Sequence, residues 1–279
     1  MTDHYAVVGN PVGHSKSPQI HTLFAEQTHQ DIEYSTLLSP LDAFRETVMK
    51  FFKQEKDNEG KGLNVTVPFK QEAWELCNEP CNELSDYAKL AGAVNTLVRR
   101  DDGSIYGTNT DGVGLVTDLE ENNQVILSGK KILILGAGGA VRGVLQPILE
   151  KQPAQLFIAN RTESKAHQLA ALFKPSDKIA AGGFGSVNDM NFDIIINATA
   201  ASLSGDVPPV SKKCIQHASC CYDMMYSNKP TAFVQWTKEL GVPKSLDGLG
   251  MLIEQAAESF NIWRGVRPTT QSVFRHMGR

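Results

Sequence analysis

Along the first hundred residues, short apolar runs alternate with stretches whose apolar positions fall at helical spacing. Residues 5–8 form such a run, and the segment opening at Ser17 carries Ile20, Leu23 and Phe24 on one helix face. Residues 33–38 read as a second strand, and after Ser39-Pro40 the set Leu41, Phe44, Val48 and Phe51 marks a second helix. In both helices a serine precedes a proline. The pattern therefore predicts proline at the first helical position, where its missing N–H costs nothing. Residues 54–61 read as a polar, charged connection and 63–67 as a short strand. Residues 94–100 and 104–107 flank Asp101-Asp102-Gly103, a turn signal that predicts a hairpin.

A second regime begins after Asn122-Asn123. Residues 131–135 are an apolar run that ends in a glycine cluster, followed by a helical pattern through Leu149, a strand over 155–159 and a helix through Phe173. Alternation of this kind predicts a parallel sheet of dinucleotide-binding type. Residues 192–197 and 220–223 add two buried strands, and a helix over 249–264 follows Gly248. The expected fold class is α/β. Residues 1–111 would form an N-terminal α/β substrate domain, with the helices of 249–279 packing back onto it. Residues 112–248 would form a Rossmann-type doubly wound parallel sheet, with an active-site cleft between the two.

Composition narrows the functional classes. A length of 279 residues favours two domains, and 41% hydrophobic with 21% charged residues is ordinary for globular proteins. A net charge of −4 without basic clustering argues against nucleic acid or an anionic membrane as partner. No apolar stretch reaches the roughly 18 residues of a membrane span, and Met1-Thr2-Asp3-His4 lacks the regions of a signal peptide. A cytoplasmic location is expected. The five cysteines show neither zinc-site nor disulfide spacing, so they are expected to be reduced, with no metal bound.

Candidate chemistry starts at the glycine cluster. Gly136-Ala137-Gly138-Gly139-Ala140 sits where a strand hands over to a helix, and small residues there let backbone N–H groups approach a pyrophosphate. The third glycine of the usual fingerprint falls on Val141, with a glycine again at Gly143. About 20 residues on, where an NAD enzyme places a carboxylate on the ribose, the chain reads Asn160-Arg161-Thr162. A guanidinium suits a ribose phosphate, and Thr162 and Lys165 add a hydroxyl and a second charge, so NADP is favoured over NAD. Glu163 falls where the helix dipole favours a carboxylate. Without a ligand, the same residues would be only a tight helix start and surface charges.

A second set of polar residues lies in the first half. His14-Ser15-Lys16-Ser17-Pro18 puts two hydroxyls at a helix start that attracts an anion such as a carboxylate. Ser17 alone would simply cap the helix, for which Ser15 is not needed. In Asn64-Val65-Thr66-Val67-Pro68-Phe69-Lys70, Asn64 and Thr66 would share a strand face with Lys70 just beyond its end. Asn95, Asn109, Thr110 and Asp111 extend this inventory of amides, hydroxyls and one carboxylate. Taken singly, each is more often a turn or cap residue than a ligand contact.

Together the motifs resemble the shikimate dehydrogenase family over nearly the whole chain. They are Gly9-Asn10-Pro11 with SKSP at 15–18, NVTVPFK at 64–70, AGAVNT at 91–96, NTDGVG at 109–114, GAGGA at 136–140, NRT at 160–162, YDMMY at 222–226 and DGLGMLIEQAA at 247–257. The resemblance implies reversible NADPH-dependent reduction of 3-dehydroshikimate to shikimate, in chorismate and aromatic amino-acid biosynthesis, by a monomer or homodimer. It implies Ser15 and Ser17 for the substrate carboxylate, Asn64, Asn95, Asp111, Tyr226 and Gln255 around the ring, and Lys70 at the catalytic position with Asp111 as its partner. For the cofactor it implies Gly136, Ala137, Gly138, Gly139, Ala140, Asn160, Arg161, Thr162, Glu163, Ser164, Lys165, Met224 and Gly248. It adds Asp86, where extra residues around Cys77–Cys81 shift the spacing. The family's serine-rich loop appears here as Ala198-Thr199-Ala200-Ala201-Ser202. One rival reading is an NAD-preferring quinate/shikimate dehydrogenase, whose acidic ribose anchor is replaced here by Arg161. The other is a non-catalytic NADP-binding regulator, which would have lost Lys70 and Asp111. Whether Lys70 transfers a proton or chiefly stabilises an alkoxide stays open.

Overall fold

A computed structural model describes residues 2–53, 59–173 and 177–278. The chain divides into two compact units, one taking Met1–Gly114 with Ile253–Arg279, the other Leu115–Leu252.

The first unit holds strands β1 (Asp3–Gly9), β2 (Ile32–Leu38), β3 (Gly60–Val65), β4 (Glu83–Leu84), β5 (Thr96–Arg99) and β6 (Ile105–Thr108). They form one mixed sheet in the order β2-β1-β3-β5-β6-β4. β1 runs parallel to β2 and β3, whereas β5 pairs antiparallel with β3 and, in the hairpin that the turn signal predicted, with β6. Phe44, Val48, Phe52, Leu63, Phe69 and Leu97 build the core on one side. Tyr5, Val7, Val12 and Tyr34 pack with Trp263 in a second cluster.

Two expected elements shift by three residues or more at their start. The helix expected directly after Ser39-Pro40 starts only at Phe44. The Ser39 N–H bonds Gly9 at the end of β1, and the Pro40 carbonyl accepts from Ala43 in a turn, which leaves Leu41 65% exposed off the helix face. The strand expected over 63–67 spans Gly60–Val65 instead, because pairing with β1 recruits Gly60 opposite His4 and Gly62 opposite Tyr5. The polar connection expected over 54–61 is thereby shortened, and its residues 54–58 lie outside the described residues.

His21, on the helix Ser17–Thr28, is fully buried and stacked flat on Tyr34 with ring centroids 4.2 Å apart. Neither ring nitrogen has a hydrogen-bond partner. Burial, opposed only in part by the nearby Asn64 side chain, depresses its pKa to about 3, far below the ordinary imidazole value of 6.5. The unfolded chain takes up this proton below pH 6.5 and the folded one only near 3, so stability from this site is complete at neutral pH and drains away as pH falls through that window. Between pH 7 and 5 the loss should be about 2 kcal/mol. Denaturant unfolding at both pH values should show that increment shrinking in His21→Phe; an unchanged increment would place the acid sensitivity elsewhere.

The second unit holds β7 (Lys131–Leu135), β8 (Gln155–Asn160), β9 (Ile179–Gly183), β10 (Ile194–Asn197), β11 (Cys220–Asp223) and β12 (Lys244–Leu246). All pairings are parallel, in the order β12-β11-β10-β7-β8-β9. Numbered from β7, this is the 3-2-1-4-5-6 order of doubly wound dinucleotide-binding sheets, whose ligands bind beyond the carboxyl ends of the strands where the order reverses. That reversal lies between β7 and β10. Both faces are covered, one by a cluster with Ile132, Ile134, Val144 and Ile148, the other by one with Leu133, Leu135, Phe192 and Phe233. Among the described residues no helix is long and apolar enough to cross a membrane.

Candidate active site

In the first unit, the strand ends and one helix gather most of the polar residues singled out from the sequence. Lys70 opens the helix Lys70–Cys77, and Asp111 opens the helix Asp111–Thr117. Lys70 Nζ lies 2.6 Å from Asp111 Oδ2, with side-chain exposures of 28% and 9%. Asn95 Nδ2 donates to the other carboxylate oxygen at 2.8 Å, and the Asp111 N–H donates to Asn109 Oδ1 at 3.1 Å. Both oxygens of Asp111 are thus held. Lys70 spends one N–H on Asp111 and retains two for a ligand, which makes it the proton donor of the pair.

Asn95 is a hub as well as a ligand candidate. Its Oδ1 accepts from the Thr110 N–H and from Thr96 Oγ1, both at 2.9 Å, while Nδ2 also approaches Thr110 Oγ1 at 2.9 Å and Gln255 Oε1 at 3.3 Å. Asn64 lies at the end of β3, its Nδ2 donating to Ser259 Oγ at 3.0 Å and its Oδ1 accepting from the Tyr34 hydroxyl at 2.7 Å. Thr66 lies one residue past the end of β3, its N–H still bonded to the Val8 carbonyl of β1 at 2.9 Å. β3 ends at Val65, and the Thr66 carbonyl accepts from Phe69 in the turn that leads into the Lys70 helix.

The serines also exchange roles. Lys16, not Ser17, holds the N-cap position of the helix Ser17–Thr28, and no side chain caps it there. Ser15 Oγ accepts from the Ser17 N–H at 3.3 Å, because the bond from Ser15 N–H to the Val12 carbonyl folds the chain back just before the helix. Ser17 is buried, 5% exposed. The first turn of this helix carries no acidic side chain, so its positive end is unopposed.

In the second unit the glycine loop leaves the carboxyl end of β7. Gly136 has φ +118° and its N–H bonds the Ala159 carbonyl; a side chain there would press on the backbone of Ala198. Gly138 and Gly139 face open space at the start of the helix Gly139–Glu150. Arg161 is exposed just past β8, and Asn160 Nδ2 donates to the Thr162 carbonyl at 2.9 Å. Glu163 and the exposed Ser164 and Lys165 form the first turn of the helix Glu163–Leu172, with Glu163 pairing to His167 at 3.3 Å. An open, N–H-rich loop with a guanidinium past the next strand fits a phosphorylated dinucleotide.

Three family models match the chain in sequence. They are the shikimate dehydrogenase substrate binding domain over residues 7–97, shikimate / quinate 5-dehydrogenase over 118–213 and the shikimate 5'-dehydrogenase C-terminal domain over 248–273. The chain is 54% identical over 276 residues to a shikimate dehydrogenase (NADP(+)) of Janthinobacterium sp. (strain Marseille), with 99% of this chain and 97% of the relative covered. The chain belongs to the shikimate dehydrogenase family. Among solved structures it is similar to an Ael1 enzyme from Pseudomonas putida, with TM-score 0.90 and 40% identity over 99% of this chain and 98% of that one. It is also similar to the shikimate 5-dehydrogenase of Thermus thermophilus in complex with NADP(H) and shikimate, with TM-score 0.84 and 27% identity over 99% and 98% of the two chains.

The remaining positions that the family resemblance named are spread more widely. Met224 follows β11 and Gly248 follows β12; Met224 N–H bonds the Asn197 carbonyl at 2.8 Å, and Gly248 N–H bonds the Met225 carbonyl at 3.0 Å. Tyr226 is half-buried in the second unit, and burial raises its phenol pKa. Asp86 lies in the first unit with its side chain 94% exposed, 3.3 Å from Lys89, in the first turn of a helix capped by Ser85. The hydroxyls of the 198–202 loop turn inward. Thr199 Oγ1 donates to Asn197 Oδ1 at 2.7 Å and Ser202 Oγ to Asp223 Oδ2 at 2.6 Å. Asp223 also accepts from Thr231, Asn197 and the Met225 N–H, and burial raises its pKa against these donors. Asp223, Tyr34, Thr96 and Ser259 were not singled out from the sequence. Ser259 carried a signal, being a polar side chain on the face where Ala256 and Phe260 are fully buried.

Proposed function

We propose that this chain catalyses the reversible NADPH-dependent reduction of 3-dehydroshikimate to shikimate. The observation that carries the reading is the Lys70–Asp111 pair, held at 2.6 Å and flanked by Asn95 and Gln255 in a chain of this family. When bound, the nicotinamide supplies the hydride. Lys70 directs its remaining N–H groups at the substrate carbonyl oxygen and neutralises the charge that develops there. Asp111 keeps the ammonium aimed. Asn64, Asn95, Thr66 and Gln255 address ring hydroxyls, a role the family resemblance extends to Tyr226, and Ser15 with Ser17 receives the carboxylate. Gly136 to Ala140 cradle the pyrophosphate, Asn160 to Lys165 hold the adenosine ribose phosphate, and Met224 and Gly248 line the nicotinamide. Asp86, the weaker cofactor position, presents an exposed carboxylate that pairs with Lys89 on its own helix. Cytoplasmic action fits five free thiols. The deciding assay is reduced-nicotinamide absorbance with shikimate and either NADP or NAD; turnover with neither overturns the reading, and preference for NAD returns the quinate-type alternative.

Arg161→Ala is expected to weaken NADP binding about tenfold to hundredfold, the scale of a charge-assisted hydrogen bond, and to leave NAD binding almost unchanged. Titration of both cofactors checks it. Equal losses would remove Arg161 from phosphate recognition.

Ser15→Ala is expected to raise KM for shikimate about tenfold with kcat nearly constant, the signature of uniform binding. Because Ser15 also receives the Ser17 N–H, a small fall in thermal midpoint accompanies it. A fall in midpoint with KM unchanged would make Ser15 purely structural.

A further inference from the structure

The Asn64 amide has its orientation fixed by chemistry. Its nitrogen side faces the main-chain carbonyl of Asn95 at 3.3 Å, a group that can only accept, so the atom there must be Nδ2. The same nitrogen has Thr96 Oγ1 at 3.3 Å and Ser259 Oγ at 3.0 Å as further acceptors. Two N–H groups among three acceptors leave no hydrogen of this amide for a ligand. Oδ1 accepts one hydrogen bond, from the Tyr34 hydroxyl at 2.7 Å. An amide oxygen has a second lone pair, and that lone pair is what Asn64 can offer.

Tyr34 is itself constrained. It is 8% exposed, so its proton needs a partner, and Asn64 Oδ1 is that partner. Its ring lies flat on His21, centroids 4.2 Å apart with an interplanar angle of 6°, and Trp263 packs at 6.2 Å. His21 makes no hydrogen bond to the phenol, so the stacked imidazole fixes the ring without competing for its proton.

We infer that Tyr34 is a specificity-determining positioning residue. By donating to Asn64 Oδ1 it locks that amide as an acceptor, so the pocket takes a substrate hydroxyl that donates at this point and rejects an analogue that lacks it. The inference rests on the proposed function, in which Asn64 meets a ring hydroxyl. Discrimination follows because a missing hydroxyl would leave a buried acceptor half-satisfied, the situation in which a polar site rejects an isostere most strongly.

The test is Tyr34→Phe in the full-length protein, which removes one oxygen and keeps the stacked ring. Binding of shikimate, and of analogues lacking each ring hydroxyl in turn, is measured by calorimetry without cofactor, with NADP-linked kinetics and thermal midpoint alongside. The expected result is a KM and Kd for shikimate raised about tenfold, kcat within about threefold, and a preference over one deoxy analogue that collapses by about the same tenfold factor. Unchanged Kd for shikimate, or equal losses for shikimate and every deoxy analogue, would overturn the role, whatever happens to the midpoint. If the unsubstituted protein turns over shikimate normally while either of these results appears, only the Tyr34 inference fails. No turnover in the unsubstituted protein overturns the functional reading and this inference with it.

Discussion

Lys70→Ala is expected to lower kcat by about 10²–10⁴ and to change KM little, the range for loss of a positioned proton donor. Lys70 and Asp111 are paired, but only one of them can donate. Asp111 has one oxygen on Lys70 and the other on Asn95, so as an ionised carboxylate it offers no hydrogen to a carbonyl oxygen. Lys70→Arg separates the two roles left open for the lysine, since arginine keeps the charge and does not release its proton near neutral pH. Recovery of most of the rate in the arginine variant means charge stabilisation dominates; a rate as low as alanine's means proton transfer or tight geometry is required. Removing Lys70 also leaves the nearly buried Asp111 without its cation, so the thermal midpoint should be followed in parallel. A normal kcat in the alanine variant would exclude Lys70 and turn attention to Asp111.

Much of the fold was legible because the apolar runs are unambiguous. The strand predicted over 131–135 is observed as β7 with those bounds, and 220–223 as β11, since each is a short apolar run closed by polar or glycine residues. β9 and β12 were missed for the opposite reason. Ile179–Gly183 is one isoleucine followed only by alanine and glycine, and Lys244–Leu246 is three half-buried residues; both owe their strand form to a neighbour in the sheet, which no local pattern records. The helix expected at Pro40 failed for a related reason, because a long-range bond from Ser39 to Gly9 is followed by a turn from Pro40 to Ala43 that delays the helix to Phe44. In the site, motifs pointed to the residues that carry distinctive chemistry, Lys70, Asp111, Asn64 and Asn95. They could not point to Tyr34, Thr96 and Ser259, whose polar atoms matter only through partners 30, 32 and 195 positions away from Asn64. Nor could they show that Ser15 rather than Ser17 receives the first helical N–H, which depends on the turn at Val12.

Two glycines that the family resemblance assigns alike to the cofactor should respond in opposite ways to a single methyl group. At Gly248 an added Cβ would lie 2.3 Å from the Met224 carbonyl oxygen and 2.7 Å from its carbon. Those are backbone atoms at the end of β11, tied on by the Met224 N–H to the Asn197 carbonyl, so they cannot swing aside as a side-chain tip would. Gly248→Ala should therefore destabilise the folded protein by about 3 kcal/mol, the upper range for overpacking a tight contact. Weaker cofactor binding should follow as a consequence of the displaced strand ends. At Gly138 an added Cβ meets nothing within 4 Å, and its backbone, at φ −86° and ψ −177°, suits alanine. Gly138→Ala should leave the thermal midpoint unchanged or slightly higher, since alanine restricts the unfolded chain. What it should lose is the close approach of backbone N–H groups to a pyrophosphate, with NADP and NAD affinity both falling at least about tenfold. Parallel thermal melts and cofactor titrations decide the matter. If Gly138→Ala binds both cofactors normally, the loop is a helix start and nothing more; if Gly248→Ala melts like the unsubstituted chain, the contact with Met224 yields more easily than its backbone geometry allows.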